Sequence, residues 1–205
     1  LSLEVCERLS GEAINQWVAD QKYWFQTFPW GPQRADSRFI WGVVSELAEW
    51  SGKTVLDIGC HYGYHSFAAS KAGASVVGFD KDLRPVSTAQ FINDSIEMQD
   101  VRFATADPGG VFDTILYFSV HHQFDEAYEG LADKISELRA RARDRVFVEL
   151  IVPDIKKTRT VEQIDAMVGG TPLLTYQHKV RHTRRIYSVN GRAGAAYGGV
   201  IKAPK

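Results

Sequence analysis

Two carboxylates and a glycine turn carry the first chemical signal in this chain: Asp57-Ile58-Gly59-Cys60-His61-Tyr62-Gly63, with Asp80 twenty-three residues after Asp57. Thr54 to Ile58 is an apolar, β-branched run of the kind buried in a parallel sheet, and the glycines after it let the backbone turn tightly against a ligand. A second buried run, Val76-Val77-Gly78-Phe79, ends in Asp80 at the distance that suits a ribose. Only a carboxylate accepts from both ribose hydroxyls at once. The pattern predicts a nucleotide-cofactor cleft. It is not the G-x-G-x-x-G turn of dinucleotide sites, because His61 stands where a glycine would let a pyrophosphate approach. A carboxylate ending the first strand also repels phosphate and suits a ligand that carries an ammonium group.

The second cluster is Phe118-Ser119-Val120-His121-His122-Gln123, with Glu149 in Val146-Phe147-Val148-Glu149-Leu150. In an open parallel sheet the carboxyl ends of the strands face the ligand crevice, so these side chains are expected on that rim. Neutral histidine takes a proton near pH 7, which makes His121 or His122 a candidate general base. Either could instead stack over a cofactor or cap the following helix. Glu149 is placed to orient a substrate hydroxyl or a histidine.

Short apolar runs alternating with helix-period segments predict an α/β sheet with helices on both faces. Strands are expected near 54–58, 75–80, 101–105, 113–118 and 145–151. Helices are expected over 64–72, from Pro85 to about Met98, and from Asp125 along the stripe Ala127, Leu131, Ile135, Leu138 and Ala142. Leu173 to Val180 and Arg185 to Val189 have no helix between them and read as an antiparallel hairpin closing the sheet. Before the core, Phe39, Ile40, Val43, Val44 and Leu47 form an amphipathic helix with Asp36 or Ser37 as its cap. The aromatic, Pro- and Gly-bearing stretch from Tyr23 to Pro32 is either a lid over the cleft or a plug at the edge of the core. The expected organisation is 1–50 for N-terminal helices and lid, 51–190 for the core, and 191–205 for a flexible Gly/Ala tail.

A chain of 205 residues supports one α/β domain and no comfortable second one. No apolar run approaches the roughly twenty residues of a membrane helix, and the N-terminal stretch lacks the basic flank of a leader. Cys6 and Cys60 are far apart, and Cys60 lies inside the glycine turn, which favours reduced thiols and a cytoplasmic location. No zinc-type spacing is present, and no metal is expected. The net charge is −1, but residues 154–205 hold ten Lys and Arg against three Asp and Glu. That basic quarter either faces an anionic substrate or is a solvated face offsetting the acidic remainder.

The Asp57-to-Gly63 turn and Asp80 resemble the class I S-adenosylmethionine-dependent methyltransferases, whose first motif reads Asp/Glu-x-Gly-x-Gly-x-Gly; this chain departs from it at His61. The resemblance covers roughly residues 51–190. It implies a Rossmann-like seven-stranded sheet, five parallel strands plus a C-terminal antiparallel hairpin, and S-adenosylmethionine as cofactor. The cofactor would be held by Asp57, Gly59, Cys60, His61, Gly63, Asp80, Lys81, Asp107 and Ser119, with Asp107 near the adenine amino group. Asp107 also reads as a turn-former before Pro108-Gly109. Catalysis would fall to His121, His122 and Glu149. Arg34-Ala35-Asp36-Ser37-Arg38-Phe39-Ile40-Trp41 and Gly59 to His65 are similar to enzymes that methylate or carboxymethylate tRNA wobble uridine. Ser119 to His122 and Arg181-His182-Thr183-Arg184-Arg185-Ile186-Tyr187-Ser188-Val189 are similar to methyltransferases of bacterial polysaccharides. The reading these favour is methyl transfer to oxygen on a small-molecule or glycan acceptor. RNA is less favoured, because its phosphates call for an extended basic surface. A non-catalytic cofactor-binding domain is the alternative from another class, and a nicotinamide oxidoreductase is disfavoured by the glycine pattern.

Overall fold

The structure, a computed structural model, describes residues 37–96, 98, 100–123, 125–177 and 182–192. The aromatic stretch 23–32, the Asp36 cap, Cys6 and the chain beyond 192 lie outside these. Ser37, Ile40, Val43 and Val44 recur at steps of three and four and form the buried side of α1 (Ser37–Val44). Phe39, expected in that stripe, is 38% exposed. It sits one helical step round from Ile40, off the edge of the apolar arc.

Seven strands form one sheet: β1 (Thr54–Ile58), β2 (Ser75–Phe79), β3 (Val101–Ala104), β4 (Phe112–Phe118), β5 (Ala142–Ile151), β6 (Thr171–Gln177) and β7 (Thr183–Asn190), in the order β3-β2-β1-β4-β5-β7-β6. By contacts the chain divides into two compact units, Leu1–Pro108 and Gly109–Lys205.

In the first unit, Val55 to Ile58 are buried without a break, as a strand covered on both faces requires. β1 pairs parallel with β2 from Thr54↔Ser75 to Ile58↔Phe79, and β2 pairs parallel with β3. Parallel neighbours need a crossover, and helices supply it: α2 (Tyr64–Lys71) packs on β1 and β2, and α3 (Leu83–Ile96) on β3. Each fully enclosed side chain, such as Leu56 or Phe67, contributes about 1.5–3 kcal/mol.

In the second unit, β4 and β5 are parallel, with Phe118 opposite Glu149. β7 runs antiparallel to β5 and β6 antiparallel to β7, so the expected closing hairpin is present. α4 (Leu131–Arg141) starts six residues later than the apolar stripe predicts. Asp125 takes the backbone N–H groups of Glu129 and Gly130 at 3.0 and 2.8 Å and Tyr128 adopts φ 55°, which keeps 125–130 in turns. One helix lies where none was expected, α5 (Val161–Val168). Thr160 Oγ accepts from Gln163 N–H at 3.3 Å and Gln163 Oε1 accepts from Thr160 N–H at 2.8 Å, while Gly169 closes the far end at φ 57°.

Candidate functional site

The glycine turn of the first unit is tied to the end of β2. Gly59 and Cys60 N–H both donate to the Phe79 carbonyl, at 2.7 and 3.1 Å. The chain therefore crosses the tip of β2, and His61 N–H reaches Asp80 Oδ2 at 3.1 Å. Asp80 Oδ1 accepts from Asp82 N–H at 3.0 Å, and Asp82 in turn accepts from Arg84 N–H in the first turn of α3. Two backbone donors thus fix the plane of the Asp80 carboxylate, and each oxygen keeps a further lone pair for another donor.

The turn alternates into the left-handed region at Gly59, His61 and Gly63, with φ 73°, 50° and 84°. His61 adopts at a cost of about 1–2 kcal/mol the conformation a glycine would take freely. Gly63 is required for a second reason: a Cβ there would lie 2.6 Å from the Phe103 ring. The same ring, from β3, packs against Phe67 of α2.

Asp57 is 2% exposed, and its Oδ2 accepts the Ser66 hydroxyl at 2.6 Å. Burial raises its pKa from the ordinary value to about 7, against the pull of the Ser66 hydrogen bonds, and the Asp80 charge adds to the rise. Asp57 therefore holds the turn to α2 from beneath. Burial also raises the Cys60 thiol, helped by Asp57 and Asp80, and lowers His61 despite the nearby Asp80 and Asp82. Lys81 and Asp107 are at the surface.

In the second unit a polar cluster is built on Glu149, which is 1% exposed. Its Oε2 accepts from the Ser119 hydroxyl and from Arg184 Nη1, the latter at 3.0 Å, and its Oε1 accepts from the Tyr176 hydroxyl. Arg184 Nη1 also donates to Ser119 Oγ. Strand register explains the meeting. Arg184 pairs with Ile151, two residues along β5 from Glu149 and on the same face, while Tyr176 pairs with Arg184. Arg185 therefore faces the other way, onto Asp165 of α5 at 2.5 Å, where Tyr187 also donates at 2.8 Å. Ser119 follows β4 at φ 58°. Glu149 thus takes up two hydroxyls and a guanidinium. A buried donor without an acceptor costs about 1–3 kcal/mol, and Arg184 Nε is such an atom, bonded to none of the described residues.

The two histidines differ. His121 is 2% exposed; its Nε2 lies 3.1 Å from Asp125 Oδ2 and its Nδ1 lies 3.1 Å from the Tyr117 hydroxyl. Burial lowers its pKa in spite of Asp125. The neutral ring then donates from Nε2 to the carboxylate and accepts the Tyr117 hydroxyl at Nδ1, so both nitrogens are committed. His122 is half-buried, and burial followed by the charges of Arg184, His182 and His121 lowers its pKa to about 4. Sequence reasoning missed Tyr176 and Arg184 as partners of Glu149. The alternation of a strand says only that Arg184 and Arg185 part company.

No protein-family model and no curated protein sequence matches the chain. Solved structures do. The bifunctional kinase-methyltransferase WbdD aligns with a TM-score of 0.70 at 18% identity, over 86% of this chain and 46% of that one, so the chain spans about half the length of WbdD. Magnesium protoporphyrin IX methyltransferase (ChlM) from Synechocystis PCC 6803, solved with bound S-adenosylhomocysteine, aligns with a TM-score of 0.62 at 23% identity, over 76% and 82%. The PH0226 protein from Pyrococcus horikoshii OT3 gives 0.57 at 15% identity, over 78% and 92%. The chain has the class I methyltransferase fold.

Proposed function

We propose that the chain is an S-adenosylmethionine-dependent methyltransferase that transfers the methyl group to oxygen on a small-molecule or glycan acceptor. The Asp80 carboxylate carries this reading: both its oxygens are oriented by backbone N–H groups and both retain a lone pair, as a ribose with two neighbouring hydroxyls needs. The ChlM structures with S-adenosylmethionine and its demethylated product support it through their shared fold. Asp80 and the Gly59-to-Gly63 backbone would hold the cofactor, and Asp57 would keep that backbone in place through Ser66. Bound there, the cofactor supplies an electrophilic methyl carbon on a sulfonium. This chain's residues then have to orient the acceptor oxygen and deal with its proton. Of the three residues expected to act on that proton, His121 and Glu149 are engaged by structural partners, which leaves His122 among them.

Calorimetry tests the reading. Each charge-assisted hydrogen bond to Asp80 contributes about 1.5–3 kcal/mol, so Asp80→Ala should weaken S-adenosylmethionine by at least about tenfold. Unchanged affinity in a folded Asp80→Ala protein would overturn the assignment. Binding of NAD in preference to S-adenosylmethionine would overturn the function as a whole.

A further inference from the structure

We propose that the second unit seats an oxyacid anion, a carboxylate or phosphate group, on Arg184, His122 and His182, and that the acceptor is a molecule carrying such a group. The second half rests on the methyltransferase reading; the first does not.

Donors outnumber acceptors around Glu149. Its two oxygens serve the Ser119 and Tyr176 hydroxyls and Arg184 Nη1, while Arg184 Nε meets no described partner. A guanidinium has five N–H donors in a planar fork matched to carboxylate and phosphate oxygens, and Glu149 meets only the Nη1 corner of it. Arg184 remains 13% exposed. His122 reports the potential beside it. After burial, what lowers its proton affinity is the charge of Arg184, then His182, then His121, with Glu126 alone opposing. Arg184 is thus close enough for its charge to be felt at His122, and it belongs to the surplus of basic residues after Asp154.

The same geometry withdraws two of the three bases that the sequence suggests. His121 is closed between Tyr117 and Asp125, and Glu149 is closed by Ser119, Tyr176 and Arg184. An alcohol acceptor would need one, because its proton must leave. An oxyanion does not. It forms the new C–O bond to the methyl carbon with a lone pair it already carries, the C–S electron pair stays on sulfur as a neutral thioether, the product is a methyl ester, and no proton moves.

The test needs neither cofactor nor turnover. Inorganic phosphate and acetate are titrated separately into the protein at constant ionic strength while the His122 ring resonances are followed by NMR. A seated anion should shift these resonances saturably and raise the His122 pKa. Arg184→Lys keeps a cation beside Glu149 but loses the fork, and should weaken the anion by about tenfold. His182→Glu changes an exposed residue and guards against a folding defect in the first variant; it should weaken the anion roughly three- to fivefold. A response to one probe alone identifies the acid and supports the proposal. A His122 ring that does not respond, shifts confined to other residues (an adventitious ion only), or equal affinity in wild type and both variants overturns it. Anion binding without binding of S-adenosylmethionine would instead overturn the methyltransferase reading and leave the anion seat standing.

Discussion

Replacing Asp57 by Asn should change how stability depends on pH, and the structure sets both the direction and the size. The Asp57 carboxyl is enclosed between the turn and α2 and holds its proton to about pH 7 in the folded chain, whereas in the unfolded chain it ionises near 3.8. Between those values the unfolded state has released a proton that the folded state retains. The contribution of this group is therefore complete below about pH 3.8 and is lost as pH rises to 7, after which it stays flat. About three pK units correspond to a change on the order of 4 kcal/mol across the window. Buried His65, held near 3, and His122, held near 4, act in the opposite sense, since protonating them in the unfolded state lowers stability as pH falls below the usual histidine range. The wild-type curve mixes these slopes, so the measurement is the difference between two proteins. Asn keeps a carbonyl oxygen for the Ser66 hydroxyl at 2.6 Å and removes the titration. Urea denaturation of wild type and Asp57→Asn at half-unit steps from pH 4 to 8 should show the variant gaining on wild type by about 1.4 kcal/mol per pH unit up to near 7, then running parallel. Curves that are parallel throughout would refute the enclosed, protonated carboxyl.

Three further expectations concern other parts of the fold. His61→Gly should raise stability by up to about 1 kcal/mol, because release of the left-handed strain exceeds the added backbone entropy of glycine; a loss would mean that packing of the ring on Tyr62 dominates. Glu149→Leu should lower stability by about 3–5 kcal/mol by leaving the Arg184 cation buried without its partner, and the double variant with Arg184→Met should recover much of that; additive losses would show the pair to be uncoupled. With an acid-bearing acceptor, His122→Gln should cost less than about tenfold in turnover, against a hundredfold or more for loss of a general base, while His121→Gln should lower the melting midpoint through Tyr117 and Asp125.

What the sequence discloses and what it withholds separate along a physical line. β1 spans the residues its apolar run marks, because a strand buried on both faces has no exposed position at which its limits can blur, whereas β5 begins at Ala142, ahead of its apolar run, through exposed Arg143 and Asp144. Local chemistry is legible too: the Thr160-x-x-Gln163 box and the closing Gly169 mark the two ends of α5, a helix short enough to be masked by the β-formers that follow it. The late start of α4 needed more: Asp125 reads equally well as a cap five residues before the observed Gly130, and it instead takes the Glu129 and Gly130 N–H groups while its Oδ2 also meets His121. The Glu149 cluster was out of reach of any local rule. Arg184 stands 35 residues from Glu149, and nothing between them distinguishes Arg184 from Arg185 until the register of β7 on β5 sends one to Glu149 and the other to Asp165. A one-residue slip would exchange the two arginines, placing Arg185 at Glu149 and leaving Asp165 with Arg184. Glu149 and Asp165 sit on opposite faces and each binds a tyrosine hydroxyl as well, from Tyr176 and Tyr187, so a slipped hairpin would strand both carboxylates from those hydroxyls at once. The pairing that brings Arg184 to Glu149 is thus tied to the register of the closing hairpin.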